Sequence, residues 1–263
     1  MCEKNENLSL DNHQETNKSK KTPGNINLST VLQLALFFIG WIGFQILGFI
    51  FSNIYSSMYV PEGTDLQNVP YNAATTFTTY LVLFTIFILV IFFIKPAEKN
   101  KFIKQFKVGK NYYLGIIFGV CLIGLNFLLS LFSTYVLKAT DNDNQQGLIL
   151  MVQSYPFLSV LILGFIGPIC EELTYRVGLF NVISKKKRWV GYVVGMLIFG
   201  LIHFDFTAGS PEAYLNELKN IPTYIIAGAY LCYSYEKSSY IGSSIAHIMN
   251  NLFSVISILM TRG

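Results

Sequence analysis

Residues 156–183 read PFLSVLILGFIGPICEELTYRVGLFNVI. Glu171, Glu172 and Arg176 are the only charged residues in this run. A helix needs about 20 apolar residues to cross the hydrocarbon core of a bilayer. This segment is longer, ~42 Å if straight at 1.5 Å per residue, so it is expected to tilt or bend. Charge inside lipid is costly, and three charged side chains in one span mark a sheltered polar place. Lipid offers the backbone no hydrogen-bond partners, so a chain built around such a segment is expected to be all-α.

Six further apolar runs flank it: 31–52, 74–94, 112–137, 189–206, 222–235 and 240–260. The expected architecture is a polytopic transmembrane helix bundle of about seven spans, with a four-helix core carrying the chemistry in the C-terminal half. Composition agrees, with 52% hydrophobic, 15% aromatic and 13% charged residues. Soluble domains carry about a quarter charged residues. The four cysteines, Cys2, Cys121, Cys170 and Cys232, lie far apart, form no disulfide framework or CxxC site, and read as reduced lipid-side or packing residues.

The net charge of +4 does not imply a nucleic-acid partner, because the bases cluster between apolar runs. Residues 1–27 are polar and read as a disordered cytoplasmic tail without a cleavable signal segment. With that tail inside, four of its lysines, six more from Lys95 to Lys110, the Lys185–Arg188 cluster and Lys237 all face the cytoplasm. They make fifteen of the nineteen bases. Lys138, Lys219 and Arg262 fall outside, and the outer loop 53–73 holds Glu62 and Asp65 but no base. The expected topology is therefore N-terminus inside and C-terminus outside. The basic clusters are read first as topology determinants, with anionic-lipid binding as the minor alternative. The expected division is the tail at 1–27, N-terminal transmembrane helices at 28–147 and a catalytic transmembrane domain at 148–260.

Intramembrane ionisable groups concentrate in that last region: Glu171, Glu172, Arg176, His203 and His247. Counted from the nearest bases at 1.5 Å per residue, Glu171 lies ~21 Å, His203 ~22 Å and His247 ~15 Å above the inner boundary. Three helices thus carry polar side chains to similar depth. Glu172 and Arg176 have the four-residue spacing of an ion pair along one helix face. Glu171, about 100° round the helix, is the carboxylate left over. His247 and Asn251 share a face, with Asn250 close enough to compete, and Phe199 and His203 repeat the spacing. Pro168 removes a helical hydrogen bond beside Glu171 and frees a carbonyl.

A carboxylate, two imidazoles and a carboxamide around water suffice to hydrolyse a peptide bond. Glu171 would deprotonate water, His203 help hold it, and His247 and Asn251 donate to the oxyanion. The same Glu171, His203 and His247 are the ligand types of a catalytic zinc site, although no HExxH is present. A lone intramembrane histidine is more often a helix–helix hydrogen bond. A proton-coupled transporter would also carry Glu, His and Arg, but the two halves show no repeat.

The order Glu171-Glu172-Leu173-Thr174-Tyr175-Arg176, then Phe199 to His203, then His247 to Asn251, resembles the EExxxR, FxxxH and HxxxN motifs of the CPBP family. These are the CAAX proteases and bacteriocin-processing enzymes, also called Abi. The resemblance covers about residues 150–256. It implies a metalloprotease-like intramembrane endopeptidase in the cell membrane, for which zinc is a candidate cofactor. Glu171 would activate water, with Glu172 and Arg176 supporting it. His203 would be the second-motif histidine, and His247 and Asn251 would stabilise the oxyanion. The expected partners are the lipid bilayer and a membrane-embedded or membrane-associated peptide or protein substrate. The composition, rich in Lys, Asn and Ile, reads as bacterial. The alternative is a non-enzymatic bacteriocin self-immunity or membrane scaffold protein built on the same helices.

Overall fold

The structure is a computed structural model that describes residues 26–59, 69–206 and 208–261. The expected tail therefore lies outside the described residues except for Ile26 and Asn27, as do Glu62 and Asp65. Ile26 is buried, and its carbonyl accepts a hydrogen bond from Asn181 Nδ2 at 2.9 Å.

The described chain is helical, with no strand among its residues. In order it forms α1 (Thr30–Tyr59), α2 (Val69–Phe93), α3 (Pro96–Ile103), α4 (Gly109–Tyr135), α5 (Asp143–Ser154), α6 (Pro156–Lys186), α7 (Arg188–Leu201) and α8 (Pro211–Met260). Five of these, α1, α2, α4, α6 and α8, are long and apolar enough to cross a membrane. Their side chains are distributed as lipid solvation demands: Phe49 and Phe93 are 72% and 77% exposed, while Phe87 is fully buried in the core. The chain is a multi-pass membrane protein.

The seven expected spans and the five long helices are reconciled by α7, a shorter apolar helix, and by α8, whose two halves run in opposite directions. Thr223 of its first half lies against Ser133 near the end of α4, and Ser239 against Asn111 near the start of α4. Beyond Ser239 the direction reverses, with Gly242 packing near Gly115 and Asn250 bonding Asn126. The reversal is made at Ser239 itself, at φ 60° and ψ −171°, a conformation costly for a residue with a side chain. Two hydrogen bonds hold it, Asn111 Nδ2 to Ser239 Oγ at 2.8 Å and Tyr240 N–H to Gln105 Oε1 at 3.3 Å. Segment 240–260 lies close against α4 because Gly115 and Gly119 present no Cβ. At Gly115 a methyl would stand 3.0 Å from the Gly242 backbone, and at Gly119 it would meet Met249. This is the small-residue packing by which helices associate in lipid.

Two short helices occupy stretches that composition alone reads as connections. Pro96 opens α3, whose Phe102 is buried, and the Asn142 side chain caps α5 by accepting from Gln145 N–H at 2.9 Å. The apolar run 189–206 ends early as a helix: α7 stops at Leu201, and His203 sits just beyond, its N–H bonded to Gly200 O at 3.1 Å.

Candidate active site

α6 deviates from ordinary helical winding on both sides of Glu171. Val160–Ile166 and Glu172–Phe180 are π-helical, so the angular register shifts across these turns, while Glu171 and Glu172 themselves keep α-helical dihedrals and face different sides, Glu171 the cavity and Glu172 the interior. Such widened turns pair residues five apart and recur at functional sites. In the first, Gly167 N–H bonds Ile162 O. The next bond in that register would run from residue 168 to Leu163 O, but Pro168 has no N–H. Asn251 fills the gap, donating from Nδ2 to Leu163 O at 3.1 Å. The carbonyl freed by Pro168 is therefore used, and α6 stays helical through Gly167–Glu171 without a break.

Glu172 and Arg176 pair as expected, Arg176 Nε standing 3.4 Å from Glu172 Oε1 with both side chains buried. Glu172 Oε1 also lies 3.0 Å from His247 Nδ1. An ionised carboxylate only accepts, so Nδ1 carries the proton and Nε2 points onward, 3.8 Å from Glu171 Oε2. The guanidinium of Arg176 lies over the Phe199 ring, 4.3 Å from its centroid, and finds no aligned hydrogen bond among the described residues. Phe199 therefore offers a cation–π surface to the buried charge, a role that helical spacing does not reveal.

His203 does not continue α7 as a helical residue. Its Nδ1–H donates to Phe199 O at 2.8 Å, which leaves Nε2 available, and its ring stacks on Tyr224 at 4.5 Å between centroids. Asn250 accepts from Asn126 Nδ2 at 2.8 Å and lies 3.4 Å from Asn251 Oδ1 through its own Nδ2. Glu171, His203, His247 and Asn251 all line one cavity of about 860 Å³, while Glu172 and Arg176 stay behind it in the protein interior.

The N-terminal half contributes a residue absent from the expected set. Tyr80 of α2 donates its hydroxyl to Glu171 Oε1 at 3.0 Å. Its ring packs alongside Gly167, where an added Cβ would stand 3.5 Å from the tyrosine ring, an ordinary contact distance. No local motif signals this contact, which joins residues 91 positions apart. As for a metal, no three His, Cys, Asp or Glu side chains gather closely enough to hold an ion among the described residues. Glu171, His203 and His247 share the cavity without forming a ligand cluster.

Comparison with known proteins places the chain in a family. Residues 153–253 match the family model described as type II CAAX prenyl endopeptidase Rce1-like. The UPF0177 protein YxdF of Lactococcus lactis is 30% identical over 69% of this chain and 95% of its own length. The putative membrane peptidase YdiL of Bacillus subtilis is 27% identical over 44% of this chain and 43% of its own. A Mycoplasma capricolum protein is 30% identical over 61% of this chain, which spans only 48% of that relative. No solved structure matches. The matched region holds the three motifs, two on the π-interrupted helix and the hairpin and one at the end of α7, and the chain belongs to the CPBP family of Rce1-like membrane proteins.

Proposed function

We propose that this chain is an intramembrane endopeptidase that hydrolyses a peptide bond with water activated by Glu171. One observation carries the proposal: a carboxylate oriented by Tyr80 stands beside His247 Nε2 in a cavity that His203 and Asn251 also face. Glu171 takes a proton from water as the oxygen adds to the carbonyl carbon, and returns it to the departing amine. His203, its Nδ1–H engaged by Phe199 O, holds the water or the amine through Nε2. Asn251 uses one amide hydrogen on Leu163 O and has a second for the oxyanion. With Nδ1–H on Glu172, His247 donates from Nε2 only as the imidazolium. Glu172 and Arg176 fix that ring from behind.

The orientation belongs to the same proposal, with the lysine-rich loops in the cytoplasm of a bacterial cell and the N-terminus inside. The relatives reported above come from bacteria, and their names supply no substrate. Zinc is the candidate cofactor that the donor set leaves weakest, since those side chains would have to move together to bind it.

Peptides and membrane proteins from cells carrying wild-type or Glu171→Gln protein test the reading. Cleavage products should vanish in the variant at equal abundance. Persisting products, or an immunity phenotype kept by Glu171→Gln, would replace the peptidase with a scaffold. Dialysis against a chelator should leave wild-type cleavage intact, and a loss restored by zinc would put the metal back in the site.

A further inference from the structure

The helix ends sort the molecule into two faces. One face gathers the bases: Lys185 bonds Leu28 O, Glu98 receives Ser29 N–H, Arg188 pairs with Glu236, and Asn111 meets Ser239. The opposite face joins the loop after α4 to the start of α8, with Lys219 on Lys138 O and Thr140 bonded to Asn216 and Asn220. The excess of bases makes the first face cytoplasmic.

The cavity has a direction between these faces. From Glu171 and His247 it runs along α4 and segment 240–260 to Thr140, Asn142, Asn220 and Ser257. None of the residues that gather on the basic face lines it. Ser130 and Ser254 on its flank are exposed, so the opening lies between α4 and the last segment. The count from the basic boundary agrees: Glu171 at ~21 Å is in the outer half of a core about 30 Å thick.

The lining also selects. Beyond the site it intersperses asparagines, serines and threonines among apolar side chains such as Phe127, Leu148 and Ile258, with no lysine or arginine among the described residues. A free C-terminal carboxylate would meet Asp141 at the mouth and Glu171 at the base, with no lining cation. The amides and hydroxyls suit instead an uncharged backbone that needs its N–H and C=O groups satisfied.

We infer that the site opens on the extracytoplasmic face and admits an uncharged internal stretch of an extended polypeptide exposed there. The direction of opening stands on the cavity and the charge pattern, whereas the substrate class rests on the peptidase reading.

Single cysteines in a chain cleared of its native ones test both parts. Ser130→Cys and Ser257→Cys line the cavity, Leu128→Cys faces lipid on the same helix, and Lys107→Cys lies on the basic face. A small membrane-impermeant thiol reagent should label Ser130→Cys and Ser257→Cys in intact cells. It should label Lys107→Cys only in inverted vesicles, and Leu128→Cys in neither. Labelling of the two cavity cysteines only in inverted vesicles, or no labelling while Lys107→Cys reacts, overturns the opening. In right-side-out vesicles the labelled Ser257→Cys protein should cleave an externally added peptide at least tenfold more slowly, at an internal neutral bond. Release of C-terminal residues instead overturns the substrate class. Cleavage that survives Glu171→Gln removes the peptidase reading and leaves the labelling result standing.

Discussion

Glu171 is distinguished from Glu172 by its neighbours. Glu172 is locked between Arg176 and His247 in the protein interior, whereas Glu171 keeps 16% side-chain exposure at the cavity and one fixed hydrogen bond from Tyr80. That bond leaves Oε2 as the oxygen facing His247. A hydrogen bond to a charged group contributes about 1.5–3 kcal/mol. Tyr80→Phe, which keeps the ring and its packing, should therefore lower kcat by about tenfold to a hundredfold. KM should change little, because Tyr80 orients the carboxylate without lining the cavity. Steady-state kinetics on purified protein separate the two constants. Unchanged kcat, or a loss confined to KM, would show that the tyrosine only fills space.

At the scale of elements, the basic face is tied together by short contacts outside the hydrocarbon core. Glu98 of α3 receives Lys101 Nζ at 2.8 Å and the Ser29 N–H that precedes α1, also at 2.8 Å. The Lys101 hydrogen bond first, and then the Ser29 N–H, hold the Glu98 carboxyl below its ordinary value of 4.5. A depressed folded-state value stabilises the fold above about pH 4.5, and the contribution is lost as pH falls through the lower folded-state value. Glu98→Gln should thus destabilise the protein at pH 7 by about 0.2–1 kcal/mol, the range for exposed pairs. Thermal melts of the variant and the wild type should converge in acid. A gap that widens below pH 4.5 would contradict the assignment.

The whole molecule crosses the bilayer more often than its count of long helices implies. α7 has 14 residues, about 21 Å of rise, and the turn through His203 completes that crossing toward the Asn142–Glu217 contact. With α8 reversing at Ser239, seven passages put the two ends of the described chain on opposite faces. A tag placed before Ile26 should be protected from external protease in intact cells, and one placed after Thr261 should be digested. Two tags with the same accessibility would mean that α7 or the α8 hairpin fails to cross.

The all-helical class, the span positions and the Glu172–Arg176 pair were legible in the sequence because each depends on local quantities: run length, charge placement and four-residue spacing. Rise per residue is nearly constant, so similar counts from the nearest bases pointed to Glu171, His203 and His247 together, and the structure places all three on one cavity. Only the tertiary structure decided what that arithmetic assumes away. The π-turns around Pro168 change the angular register, and α7 ends before His203. Phe199 supports Arg176, and Tyr80 reaches Glu171 from a helix whose own sequence is merely apolar. These are contacts between segments distant in the chain, decided by how glycine-thinned helices pack, and packing has no periodicity that a single strand of sequence can express.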